Sequence, residues 1–389
     1  MSADVRPLLE AAAAVSEQVL ADIKALVEVE TSSYDVEALD VGLDHVERLM
    51  VERLGTPDES RRHDGGGHGD ILVATYRGTG SAHVSLVAHY DTVWPTGTLA
   101  GWPLETTTVD GRDRLTGPGI FDMKTGLVQG FWSLRLLQEA GAPTPTVTFV
   151  LNGDEEIGSP ASRPVIEAVG GTTDATLVLE PTAAGAVKTG RKGIGIFRIE
   201  TVGVESHAGL DPAAGASAIH ALARVIEQVV PIARPDRGTT VNVGLVEGGS
   251  GSNVVAGRAS ALVDVRVSDP AEQARVDAAF DAVTTGDPRV QLHIEHGWNR
   301  PPMALSDVTR PLLEVARSVS TDLGHELRDT TVGGASDANF VAALGKPVLC
   351  GLGAVGHGAH ARGEWIHPDA VPQQTALVAG MLTRMADGW

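Results

Sequence analysis

Short apolar runs in this chain repeatedly end in a histidine or an acid. His89 and Asp91 follow His-Val-Ser-Leu-Val-Ala, and Asp122 sits in Gly-Pro-Gly-Ile-Phe-Asp-Met-Lys. Glu155 and Glu156 follow Val-Thr-Phe-Val-Leu-Asn-Gly-Asp, and Glu180 ends Ala-Thr-Leu-Val-Leu-Glu. His360 comes after Pro-Val-Leu-Cys and a glycine-rich loop. Apolar runs at 71–76, 83–88, 145–151 and 174–179 alternate with helical patterns at about 123–140 and 162–169. That alternation predicts a mostly parallel sheet with helices on both faces. In such a sheet, ligands gather beyond the carboxyl ends of the strands. Two imidazoles and several carboxylates are therefore expected in one crevice, a donor set that suits zinc and its borderline neighbours.

With 389 residues the chain is too long for one ordinary core, so two domains are expected. Residues 6–55 read as helical and 56–70 as a polar loop. Near residue 188 the character changes. Strands at 192–202, 239–247, 258–268 and 289–295, with helices at 212–232 and 270–284, give the β-α-β-β-α-β order of a small two-layer domain. After Asn299-Arg300-Pro301-Pro302 the first pattern resumes: helices at 307–323 and 336–344, a strand at 346–350 and a closing helix at 370–386. The expected organisation is an α/β domain formed by 1–188 and 300–389, interrupted by an α+β insertion at 189–299. The insertion reads as a lid hinged near 188 and 299. Its 212–232 helix and a free strand edge could form an isologous dimer interface.

A net charge of −20 disfavours nucleic acid and anionic membranes as partners. The single cysteine, Cys350, rules out intrachain disulfides and all-cysteine zinc sites, and it reads as a core thiol. The acidic, alanine-rich start has no basic n-region, so a cytoplasmic location is expected. No apolar run approaches the roughly 18 residues of a membrane span.

Each candidate has a plainer reading. His89-x-Asp91 could be an ordinary loop pair, but a ligating histidine usually gives its second N–H to a carboxylate, and Asp91 is the near candidate. Asp122 could cap a helix, yet a cap leaves Gly117-Pro118-Gly119 unexplained, and those glycines suggest a close-approach turn. Glu155-Glu156 could be a solvated pair; after an apolar strand the two can divide the roles of ligand and general base. Glu180 could face water at a strand end. His357 rivals His360, and spacing alone does not separate them. Charge counting favours a pair of cations. Two zinc ions balance Asp122, Glu156, Glu180 and one hydroxide, and a neutral set suits a partly dry crevice. A carboxylate bridging two metals roughly 3.5–4 Å apart is a hydrolytic arrangement.

Taken together these segments resemble the zinc metallopeptidase family of glutamate carboxypeptidase, succinyl-diaminopimelate desuccinylase and the aminoacylases. The matching stretches are Ala-His-Tyr-Asp at 88–91, Gly-Pro-Gly-Ile-Phe-Asp-Met-Lys at 117–124, Gly-Asp-Glu-Glu-Ile-Gly-Ser at 153–159 and Leu-Glu-Pro-Thr at 179–182. Ser-His-Ala-Gly at 206–209, Gly-Gly-Ala-Ser-Asp-Ala at 333–338 and Gly-Ala-His-Ala-Arg-Gly-Glu around His360 complete the set. Leu-Glu-Pro-Thr and the His360 surroundings look closest to the glutamate carboxypeptidase branch.

The resemblance implies that His89 and Glu180 hold one zinc and Glu156 and His360 the other. It implies that Asp122 bridges them beside a cis peptide to Met123, with cobalt or manganese as possible substitutes for zinc. It makes Asp91 the orienter of His89, Glu155 the general base acting on a metal-bridging hydroxide, and His207 the histidine over the scissile carbonyl, often from a partner subunit. Asn253 and Arg266 resemble a carboxylate grip, although Ala256 stands where the family often has proline. Arg300 is a further carboxylate candidate, or a salt bridge at the domain boundary.

The implied activity is release of a C-terminal, glutamate-type amino acid from an amide, by a homodimer joined through the lid. A broader N-acyl-amino-acid amidohydrolase or dipeptidase shares every metal residue. A dinucleotide-binding oxidoreductase is remote, because Gly351-Leu-Gly353-Ala-Val-Gly356 is followed by more loop rather than a helix. A non-catalytic metal-binding protein is disfavoured by Glu155, which the metal does not need. No G-x-S-x-G elbow supports a serine hydrolase.

Overall fold

The computed structural model describes residues 4–389, which divide into two compact units. The first comprises residues up to Gly190 together with Leu305–Val332 and Ser336–Trp389. The second comprises Arg191–Ala304 and the short segment Gly333–Ala335.

The first unit is built on an eight-stranded sheet. Its spatial order is Glu59–His63, Gly69–Tyr76, Thr146–Gly153, His83–His89, Ala175–Val178, Val348–Cys350, Val187–Arg191 and Asp329–Val332. The pairs from Thr146–Gly153 through Val348–Cys350 are parallel, and the two before them and the pairing of Val348–Cys350 with Val187–Arg191 are antiparallel. Val84 to His89 are buried at every position rather than at alternate ones, so both faces of that strand are covered. Helix Thr125–Ala140 is buried along almost its whole length. It lies close against the loop after Ala175–Val178: a Cβ on Gly126 would stand 1.9 Å from the Leu179 carbonyl oxygen. Phe131 and Tyr76 both meet Phe149 edge-to-face, at centroid distances of 5.3 and 6.1 Å. Cys350 is buried in this core, with Sγ 3.7 Å from Ser336 Oγ.

The parallel register sets the site. His89 lies opposite Asn152, and Val87 opposite Val178. Three neighbouring strands therefore end within about two residues of one another, and their next residues emerge on one side.

Three differences from the sequence reading have simple causes. The span 6–55 is three helices, Arg6–Ala14, Ser16–Val27 and Val36–Leu54. The second and third are separated by a loop, and Asp35 caps the third by accepting from the Ala38 amide at 3.1 Å. The supposed polar loop contains the edge strand Glu59–His63, which is largely exposed on both faces and so carries no apolar alternation. A hairpin of Glu105–Val109 and Arg112–Thr116, polar for the same reason, was not anticipated.

The second unit is a two-layer α+β structure. Strands Thr240–Gly248, Arg258–Val267, Gly193–Val202 and Gln291–Glu295 lie in that order and are all antiparallel. Alternate residues of Gly193–Val202 and Arg258–Val267 are buried, the period-2 pattern of a sheet covered on one face. Phe197, Ile199, Val263 and Val265 pack with Leu222, Val225 and Val229 of helix Ala218–Val229 and with Val276 and Phe280 of helix Pro270–Asp281. Ser217 and Asp269 cap the two helices by accepting from the His220 and Glu272 amides. Among the described residues, no helix is long and apolar enough to cross a membrane.

Candidate metal centre

His89 ends its strand with an imidazole that is almost fully buried. Its Nδ1 lies 3.0 Å from the Asp91 carbonyl oxygen and 3.3 Å from Asp91 Oδ1. A carbonyl oxygen only accepts, so Nδ1 carries the proton and Nε2 is left to face inward. Nε2 stands 3.4 Å from Asp122 Oδ1 and 3.7 Å from Glu180 Oε1.

Asp91 does more than orient His89. Its carboxylate accepts from Ser33 Oγ at 2.7 Å and from the backbone amides of Glu155 and Glu156, each at 3.2 Å. The same acid thus holds His89 and the turn that carries Glu155 and Glu156. Asp337 secures that turn at both ends, accepting from Asn152 Nδ2 at 2.7 Å and from Ser159 Oγ at 2.5 Å.

Asp122 follows the Gly-Pro-Gly turn. Gly119 has φ of +73°, and a Cβ there would meet Thr92 Cγ2 at 2.4 Å, so both its conformation and its space require glycine. The peptide from Asp122 to Met123 is cis. The two oxygens of Asp122 face different histidines: Oδ1 faces His89, and Oδ2 lies 3.6 Å from His360 Nε2. His360 Nε2 is also 2.8 Å from Glu156 Oε2. His360 thus stands beside Asp122 and Glu156, whereas His357 lies opposite Trp365 in a two-residue ladder. Ligand-type atoms of His89, Asp122 and Glu156 fall within 4.8 Å of one another, and so do those of His89, Glu155 and Glu180.

Electrostatics point to a cation. Burial pushes Glu156 upward, to about 7, while its hydrogen bond to His360 pulls it back. That hydrogen bond raises His360 to about 9. Burial would lower His89, but Asp122 and Asp91 outweigh it and hold the imidazole well above its ordinary range. Five carboxylates, Asp91, Asp122, Glu155, Glu156 and Glu180, crowd one crevice. The Lys188 ammonium stands among them, 3.7 Å from Glu180 Oε2. His89 Nε2 and Asp122 Oδ1 are buried with no hydrogen-bond partner. A buried imidazole nitrogen and carboxylate oxygen facing each other in this way fit divalent-metal ligands.

Two buried residues beside the centre were not singled out from sequence. Lys124 is fully buried, donates from Nζ to the Val29 carbonyl at 2.6 Å, and is lowered by burial to about 7. Glu364 is buried behind Asp122, and burial pushes its carboxyl up to about 8. Lys124 lay inside the quoted Asp-Met-Lys stretch, so its signal was present. Glu364 likewise closes the quoted Gly-Ala-His-Ala-Arg-Gly-Glu stretch.

The remaining candidates belong to the second unit. Ser206–His207 pairs with Val254–Val255, and the Ala208 amide donates to the Asn253 carbonyl at 2.9 Å, so His207 and Asn253 are neighbours. Both side chains are exposed. Arg266 is engaged: it donates to Asp264 Oδ1 and Oδ2 at 3.0 and 3.3 Å and to the Gly333 carbonyl at 3.1 Å. Arg300 is buried on the short strand Trp298–Arg300, with Nη1 3.3 Å from Asn299 Oδ1.

Residues 85–384 match the model of peptidase family M20/M25/M40. Carboxypeptidase G2 of Pseudomonas sp. strain RS-16 is 29% identical over 391 residues, covering 98% of this chain and 92% of that protein. A succinyl-diaminopimelate desuccinylase of Paraburkholderia xenovorans is 29% identical over 341 residues, covering 78% and 84%. The crystal structure of aminopeptidase PepT from Bacillus cereus superposes with a TM-score of 0.76 at 24% identity, covering 96% and 99%, a likeness of fold. With that match and the carboxylate-histidine crevice together, the chain belongs to peptidase family M20/M25/M40 and is a metal-dependent hydrolase of the peptidase and amidohydrolase type.

Proposed function

We propose that the chain is a di-zinc carboxypeptidase that hydrolyses an amide bond to release a C-terminal amino acid of glutamate type. The observation that carries this reading is the placement of Asp122, one oxygen toward His89 and the other toward His360. Each imidazole has its own glutamate beside it, Glu180 for His89 and Glu156 for His360. His89, Glu180 and Asp122 would hold one zinc, and Glu156, His360 and Asp122 the other. When bound, the pair supplies Lewis acidity and lowers the pKa of water toward neutrality.

The chain's own residues do the rest. Glu155 takes the proton of the attacking water as its oxygen bonds to the carbonyl carbon. When the carbon–nitrogen bond breaks, Glu155 passes that proton to the departing amine. Asp91 keeps His89 in one tautomer and fixes Glu155 through its backbone amide. His207 stabilises the oxyanion. Asn253 and Arg266 hold the substrate carboxylate, with Arg266 exchanging Asp264 for the ligand; a guanidinium binds either carboxylate by two parallel hydrogen bonds. Arg300 is a further carboxylate candidate.

The second unit also supports a homodimer. Thr240–Gly248 is an edge strand, with Leu245 and Val246 more than half exposed, and Ile219 and Val230 near helix Ala218–Val229 are exposed as well. Edge pairing about a twofold axis would cover them. Leu245→Arg is expected to give a monomer by light scattering, and an unchanged mass would remove this interface.

The test of function strips the protein with a chelator and assays an acyl-glutamate against its C-terminal amide. Activity on the acid should vanish on stripping and return with zinc, and the amide should be a poor substrate. Equal rates on acid and amide would sink the carboxylate clamp. Preference for dipeptides with a free amine would favour a dipeptidase.

A further inference from the structure

We infer that Glu364 is a positioning residue that fastens three ligand-bearing loops of the metal centre to one another. The inference rests on reading Asp122 and His360 as metal ligands.

Glu364 is 1% exposed. Its Oε1 accepts from Trp94 Nε1 at 2.8 Å and from the Gly119 amide, and Oε2 faces the Asp122 amide at 3.4 Å. The three donors lie on two other parts of the centre. Trp94 is on the segment leaving His89 and Asp91, and Gly119 and Asp122 are on the loop of the bridging acid. Glu364 itself closes the loop that carries His360.

That third loop is tight. The Ala361 amide donates to the Gly358 carbonyl at 2.9 Å, and the Glu364 amide to the Ala361 carbonyl at 3.0 Å. His360 stands in the first of these consecutive turns with φ of +59°, a conformation that costs a non-glycine residue energy and persists only where its surroundings impose it. Gly358 packs directly on Glu364, since a Cβ there would meet the Glu364 Cα at 2.9 Å. Movement of Glu364 therefore moves His360 on one side and Asp122 on the other.

Simple core filling does not account for an acid here. An apolar side chain would leave the Trp94 and Gly119 N–H groups without this acceptor. Groups that orient metal ligands from behind usually set metal affinity by about 10–100-fold.

The experiment titrates metal-stripped protein with zinc against a chromophoric chelator and measures kcat and KM at saturating zinc. Variants are Glu364→Ala, Glu364→Gln and Trp94→Phe, which keeps an aromatic ring against Trp102. Glu364→Ala should bind zinc about 10–100-fold more weakly. With zinc in excess, most of its kcat should return and KM should stay near wild type. Glu364→Gln should recover much of the affinity, because its amide oxygen still accepts from Trp94 and Gly119. Trp94→Phe should weaken zinc in the same direction by a smaller factor.

A folded Glu364→Ala with wild-type zinc affinity overturns the inference, as does a kcat loss that excess zinc leaves in place. If Glu364→Ala does not fold, unchanged zinc affinity in Trp94→Phe overturns it. Wild-type protein that binds no zinc and ignores chelators defeats the metal reading itself, a separate outcome from zinc-binding wild type with unaffected variants.

Discussion

The two units handle charge in opposite ways. The first gathers acids together: Asp91, Glu155, Glu156 and Glu180 follow strands that run in parallel, and Asp122 joins them from the turn after the antiparallel strand Arg112–Thr116. The second keeps most of its ion pairs at the rim, as in Arg258–Glu200 and Arg289–Asp287. Topology accounts for the contrast. Parallel neighbours deliver successive loops to one side of a sheet, so their polar residues converge. Antiparallel neighbours send successive loops to opposite ends, and no crevice collects them. The first unit can therefore build a fixed centre of mutually supporting groups. The second offers exposed side chains such as His207, whose ring accepts from the nearby Gly209 and Leu210 amides.

The largest expected effect tests the first half of that contrast. Glu155→Gln keeps the backbone amide that donates to Asp91 and removes only the basic carboxylate. It should retain zinc and lose about 10²–10⁴ in kcat. Normal turnover would remove Glu155 as the base. His207→Ala tests the second half. Loss of one oxyanion donor should cost about 2.7–4 kcal/mol of activation free energy with zinc content unchanged. Loss of zinc in that variant would make His207 a ligand and erase the distinction between the units.

How much could be read beforehand follows the same division. The interior strands were legible because each is a short apolar run bounded by turn residues, and His89, Glu156 and Glu180 were legible because each follows such a run. The register that aligns His89 with Asn152 was not legible, since pairing between distant segments leaves no local trace. Polar supports were missed for a related reason. Ser33 lies 58 positions from the acid it serves, and Glu364 lies 245 from Gly119. Each looks locally like an ordinary loop residue. In the second unit the alternation was clear at Gly193–Val202 and Arg258–Val267, because one face is buried and the other is not. Asp264, which pairs with Arg266, lies only two residues from it, and alternation within the strand puts both on one face.

A smaller effect sharpens what holds the buried acids in place. Ser33→Ala removes one of the donors to Asp91 and leaves the amides of Glu155 and Glu156. A single such hydrogen bond contributes about 1 kcal/mol, so kcat should fall about fivefold with zinc retained. No change in kcat would show that the two amides alone suffice to set Asp91.

The smallest effect belongs to the second unit, where Glu272 is its counterpart of a supported acid. Its carboxylate accepts from Arg275, with Nη2 at 2.7 Å, from Thr239 Oγ1 at 2.6 Å and from Arg237 at 3.3 Å. Led by the Arg275 hydrogen bond, these hold it at about 2 instead of its ordinary 4.5. A depressed carboxylate contributes stability that is present above its unfolded-state value and is lost as pH falls through the folded one. The second unit should therefore lose stability between pH 4.5 and about 2, with Glu272 one of the groups responsible. Hydrogen exchange of peptides covering 232–240 and 269–283 in the whole chain should report that loss, and Glu272→Gln should flatten it. The acids of the first unit respond in the opposite sense where burial governs them: Glu156 is raised, so without a cation its charge is a cost that protonation relieves. Exchange in the second unit that stays constant across that window in wild type would mean that Thr239 and the two arginines hold the neutral acid as well as the charged one. The contrast between the two units would then rest on topology alone.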